Sequence, residues 1–190
     1  MTTIDSSAQI DIDIPPDFHE VPLDLAVEDR AAAQSELLEV LDLDDGDRRE
    51  GLGWFLEAMA RMVREGPVVG TAFCAVAIDQ VPSTATLTVA TRAMPSDDPL
   101  VFAQGTYESM RAQNTYVTVQ LERIGAVTGV VATRELMVAE RHSYQVTAVV
   151  PVPDQRLGVF VTVATDDRAH LSVYERVARD AAASVRVATP

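Results

Sequence analysis

The chain predicts an α+β fold in which a mainly antiparallel, six-stranded sheet is packed with amphipathic helices as an α/β/α sandwich. Three observations carry that expectation. The apolar spacing is helical up to Gly66-Pro67 and then switches to a period of two. Six alternating stretches follow between Val68 and Thr165, and most are joined by links far shorter than the roughly dozen residues a parallel crossover needs. An amphipathic stripe comes directly after the last of them, where a helix folds back onto a sheet.

The elements follow in order. In the first 16 residues, Ile10, Ile12 and Ile14 alternate with Asp11 and Asp13 until Pro15-Pro16 stops the pattern, so residues 1–16 read as either a flexible segment or an edge strand. The remainder, 17–190, reads as a single α+β domain that opens with the short extended stretch "DFHEVPLDL". Leu37, Leu38 and Leu41 give 27–42 a helical stripe, with its acids early, where the helix dipole favours them. Leu52, Phe55, Leu56, Met59, Met62 and Val63 do the same for 47–66, which Gly66-Pro67 terminates. The stretches 68–78 and 84–92 flank "DQVPS" and predict a hairpin. Aspartates at the start and arginine at the end predict a helix over 96–113. Strands at 116–124, 126–138, 143–152 and 156–165 then form a meander. Leu171, Tyr174, Ala178, Ala181 and Val185 make the closing stripe, which Asp166 or Asp167 can cap and which runs into a short strand in "ASVRV". That helix is expected to be structural.

Charge excludes some partners. The 190 residues carry 29 acids against 15 basic residues, for a net charge of −14. Such a field repels phosphate backbones and anionic membrane surfaces, so no nucleic acid and no membrane is expected, and a cationic protein partner suits it better. Every basic residue is arginine, which rules out Schiff-base and P-loop lysines. The bias is that of GC-rich coding. The first residues lack a basic, apolar leader and no run approaches ~18 apolar residues, so a cytoplasmic location is expected.

No catalytic or metal constellation assembles along the chain. Cys74 is the lone cysteine and lies in the apolar run "TAFCAVAI", where an inert, buried thiol is expected. His19, His142 and His170 are far apart, at no metal-ligand spacing, and read as turn or surface residues. Ser109, Ser143 and Ser172 sit in no nucleophile motif. The acidic stretch "DLDDGDRRE" fails the register of a calcium loop, because Gly46 and Gly53 fall where acids are needed. "GLGWFL" follows a charged loop where a dinucleotide motif requires a strand. No cofactor and no enzymatic activity are therefore expected.

One pattern points to binding. If Ala85, Leu87 and Val89, and likewise Val117, Val119 and Leu121, face the core, then Thr84, Thr86, Thr88, Thr118 and Gln120 share the opposite face, extended by Thr147. Such a face offers many hydroxyl groups to a polypeptide or polar ligand.

The order hairpin, helix, four-strand meander, amphipathic helix, with "IPPDFHEVPLD" at the start and "VFVTVATDDRAHLSVYERVARDAAASVRV" at the end, resembles the PsbP-like α/β/α sandwich over residues 14–187. That group includes photosystem extrinsic proteins, the Ran-binding Mog import factor, DcrB-like bacterial proteins and actinobacterial members. The resemblance implies a non-enzymatic binding or assembly role and carries over no catalytic residue. The chain is thus expected to be a non-enzymatic, cytoplasmic protein-binding factor of adaptor or chaperone type. The alternative is a small-molecule-binding protein or enzyme with a pocket between the sheet and the 96–113 helix, near Tyr107, Tyr116 and His142.

Overall fold

In the computed structural model, Asp79 and Gln80 both adopt positive φ, 50° and 67°, and turn the chain tightly between two long strands. That geometry matches the right-handed twist of the strands it joins. The turn is shorter than the sequence suggests, so Val81, Pro82 and Ser83 belong to the second strand. The structure describes residues 2–4, 10–21, 68–138 and 141–187, together with Ala32, Ser35 and Glu39. Those three isolated positions are helical and exposed, on one face of the expected 27–42 helix. The Leu37, Leu38 and Leu41 stripe, the 47–66 helix and the acidic stretch 42–50 lie outside the described residues.

The strands are β1 (Thr2–Ile4), β2 (Ile10–Ile12), β3 (His19–Glu20), β4 (Val68–Ile78), β5 (Val81–Ala93), β6 (Tyr116–Ile124), β7 (Val127–Val138), β8 (Arg141–Val152), β9 (Leu157–Thr165) and β10 (Arg186–Val187). Helix α1 covers Pro99–Arg111 and α2 covers Leu171–Ala183. The main sheet has seven strands in the order β3-β4-β5-β9-β8-β7-β6, every pair antiparallel. The six expected strands are all present. The short β3 adds a seventh at one edge, and the meander β6 to β9 closes onto the hairpin through the β5–β9 pair.

The Ile10–Ile12 alternation forms a strand in a separate three-stranded sheet, between β1 and the chain's last strand β10. Its isoleucines are buried in the main core, so this sheet is held by apolar packing as well as by its ladder. Arg186 pairs with Asp13, and Ser184 Oγ accepts the Asp13 N–H at 2.8 Å, which pins the two ends of the chain together.

The two faces of the main sheet carry different layers. On one face, Ala72, Ala85, Leu87, Val89, Val146, Ala148, Val159, Val161 and Val163 meet Tyr174, Ala178, Ala181 and Ala182 of α2, with Ile10 and Ile12 beside them. Each of the large side chains here contributes about 1.5–3 kcal/mol by burial. On the other face, Phe102 and Met110 of α1 meet Met94, Val130, Ala132 and Val149. Among the described residues, one helix packs on each side of the antiparallel sheet and makes the sandwich. Helix α1 begins where Asp98 Oδ1 accepts the Leu100 N–H at 2.8 Å, with Pro99 at the first helical position. Helix α2 begins differently from expectation. The residue before it is His170, whose side chain makes no cap bond, while Asp167 accepts the N–H of Ala169 at 2.9 Å one turn earlier.

Candidate functional site

The site lies on the α1 face. The ring of Phe102 rests on the backbone of Gly158 in β9, so closely that a Cβ there would stand 2.1 Å from its Cζ. This contact seats the first turns of α1 over the sheet. Beside it, between α1 and the β5–β9–β8 part of the sheet, is an open cleft of about 1140 Å³. Met94, Phe102, Met110 and Phe160 form its apolar lining, while Ser109, Thr147 and Thr162 bring hydroxyl groups. Thr147 and Thr162, opposite each other on β8 and β9, are joined at 2.9 Å.

The charge within the cleft is unlike that of the chain. Its described lining holds two arginines, Arg92 and Arg134, and no aspartate or glutamate. The Arg134 guanidinium is positioned twice over: its Nε donates to Gln145 Oε1 at 2.8 Å, and its Cζ lies 5.7 Å from the centre of the Tyr116 ring. Among the described residues it has no carboxylate partner.

Gly105 also lines the cleft, in the middle of α1. A Cβ added there would meet nothing within 4 Å. Packing therefore does not demand a glycine at a helical position where it is worth ~1 kcal/mol less than alanine. The missing side chain keeps the wall of the cleft open.

The sequence-derived binding residues divide between the two faces. Thr84, Thr86, Thr88 and Thr147 share the α1 face with Thr162; Thr84 is exposed, Thr86 and Thr88 are half-buried, and Thr147 is buried. Of these, Thr147 lines the cleft. Thr118 and Gln120 are exposed on the opposite face, the one that α2 covers. Their neighbour Glu122 marks that face, because it accepts Arg179 of α2 at 2.6 Å from Nε and 3.3 Å from Nη2. The Glu122 bonds come first among the causes that raise the Arg179 pKa. The single shared face expected for all six residues is therefore corrected. A bulge between Tyr116 and Thr118 resets the alternation of β6, and Val119 packs under α1 rather than beside Leu87. Of the residues expected around a pocket, Tyr116 lines the cleft and Tyr107 packs beside it. His142 stands away from it on β8, 2.5 Å from Glu135 on neighbouring β7.

A second polar group lies under α2. Ser83 Oγ and Tyr174 Oη are 2.8 Å apart, with Cys74 Sγ at 4.0 Å from the same Oη. Burial pushes the Cys74 thiol up to about 11 and the Tyr174 phenol up to about 12, so both are protonated and unreactive at neutral pH. His170, expected at the surface, is buried, with its Nδ1 2.5 Å from Asp167 Oδ2. Burial opposes ionisation of Asp167, but the Ala169 N–H and the His170 charge outweigh it and hold its carboxyl below the ordinary value. This group ties the start of α2 to β4 and β5. Sequence reading missed it because its members are scattered over four elements and linkers.

No family model matches the chain. No curated protein matches it either. Among solved structures it is similar to LpqN, "involved in cell envelope biogenesis of Mycobacterium tuberculosis", with 10% sequence identity, 96% of this chain and 84% of that chain covered, and a TM-score of 0.49. That likeness says nothing of what this chain does. Among the described residues, no group of three or more His, Cys, Asp or Glu is placed to hold a metal ion, and no helix is long and apolar enough to cross a membrane.

Proposed function

We propose that this chain is a non-enzymatic binding protein whose ligand occupies the cleft between α1 and the β5–β9–β8 part of the sheet. The observation that carries this is the cleft itself, whose wall includes Gly105, an exposed mid-helix glycine at which an added Cβ would meet nothing within 4 Å. The mixed apolar and hydroxyl lining agrees with the chemistry of small-molecule sites, and the volume of about 1140 Å³ lies just above their usual range of roughly 300–1,000 Å³. A ligand screen by thermal shift tests it, run on the wild type, Gly105→Ala and Gly105→Phe. Compounds that raise the melting temperature of the first two and leave Gly105→Phe unmoved are expected, since a bound ligand stabilises only the native state that holds it. Hits that stabilise Gly105→Phe equally would overturn the reading.

A second reading, a protein-binding factor of adaptor or chaperone type, is favoured by β6. It is one of the two outer strands of the main sheet among the described residues, and its Val117 and Leu121 are 68% and 39% exposed. An extended, preferably cationic, polypeptide would add to that edge through main-chain hydrogen bonds. Partner-dependent protection of 117–121 in hydrogen exchange is expected on this reading, and unchanged exchange there in the presence of a captured partner rejects it. Kinship with the PsbP-like sandwich is part of the same proposal and rests on the order of hairpin, helix, meander and closing helix.

A further inference from the structure

We infer that the cleft takes an anionic amphiphile, with a carboxylate head on Arg134 and an aliphatic body laid against Met94, Phe102 and Phe160. This rests on the reading of the cleft as a ligand site and adds the chemical class of the ligand.

Of the chain's 29 acids and 15 arginines, residues 68–187, from which the cleft is built, hold 12 acids and 10 arginines. The described lining of the cleft reverses that balance, with two arginines and no acid. Among the described residues, three other arginines pair with carboxylates: Arg156 lies 2.6 Å from Asp97, Arg179 lies 2.6 Å from both Glu122 and Glu175, and Arg186 pairs with Asp13. Arg134 is half-buried and holds none among the described residues. Taking part of a guanidinium out of water without a counter-charge is unfavourable, and a ligand carboxylate removes that penalty.

Geometry supplies the rest. With Nε committed to Gln145 and the guanidinium held near the Tyr116 ring, the plane of the group is fixed in advance and its two terminal nitrogens remain for a ligand. A preorganised fork of this kind matches a carboxylate with two parallel hydrogen bonds and loses little entropy on binding. The apolar side chains of the same cleft then receive a chain of methylene groups, whose burial is favourable. Gly105 leaves room for that body along α1.

The test titrates decanoate and 1-decanol, both below their aggregation limits, into the wild type, Arg134→Gln, Arg134→Lys and Gly105→Phe by calorimetry. Decanoate is expected to bind the wild type at least tenfold more tightly than decanol. Arg134→Gln should erase that preference and Arg134→Lys should keep part of it, because the lysine retains charge without the fork; the lysine variant also answers the question if the glutamine variant does not fold. Equal affinities for the two probes in the wild type, an unchanged decanoate affinity in Arg134→Gln, or no decanoate binding at all overturns the head-group assignment while the cleft reading stands on its own screen. Binding of both probes that Gly105→Phe leaves unchanged places them outside the cleft and overturns both.

Discussion

Phe102 of α1 and Gly158 of β9 are in direct contact, ring against backbone, at the point where the helix crosses onto the sheet. The contact leaves no room for even a methyl group, since a Cβ at residue 158 would lie 2.1 Å from the ring. Gly158→Ala is therefore expected to lift Phe102 and lower stability by about 1–3 kcal/mol, the usual range for overpacking. Urea unfolding of Gly158→Ala, Phe102→Ala and the double variant checks it. The double variant should be less destabilised than the sum of the singles, because truncating the ring removes the clash. Additive losses would mean that the two residues do not compete for the same space.

Tyr174 holds α2 to the hairpin through Ser83, 91 residues away along the chain. Tyr174→Phe keeps the ring in the core and removes only the hydroxyl. We expect a loss of about 1 kcal/mol, the net worth of one buried hydrogen bond, because Ser83 can turn towards Asp167. A thiol reagent at pH 8 should leave Cys74 unmodified in the native wild type and label it fully in denaturant, since burial holds the thiol at about 11. Rapid labelling of the native protein would contradict the buried position of Cys74.

Asp167 gives stability a dependence on acid. Its carboxyl is held below the ordinary value of 3.8 in the folded chain, so the unfolded chain takes up its proton first as the pH falls. The stabilisation is complete above the unfolded value and is lost as the pH drops through the lower, folded one. Wild type and Asp167→Asn should thus differ in unfolding free energy at pH 7 and converge towards pH 2. A gap that persists at pH 2 would show that the residue acts through something other than its charge.

The α2 helix and the meander were legible residue by residue, because each is written in a local period: Leu171, Tyr174, Ala178 and Ala181 repeat at helical spacing, and strands β6 to β9 alternate with short turns between them. The same local rule explains the failure at β6. Alternation separates Val119 from Thr118 but does not say which of them faces α1, and when both faces of a sheet are covered by helices either assignment buries apolar residues. The bulge beside Val117 made the choice.

The chain's own order of residues thus settled the helices and strands between Val68 and Val187 and the antiparallel character of the main sheet, which follow from periods and short links between near neighbours. Folding alone brought Arg134, Tyr116 and Gln145 together, set Gly105 over empty space and joined Ser83 to Tyr174. These relationships join residues from different elements, and no spacing along a single strand or helix encodes which faces will meet across the layers.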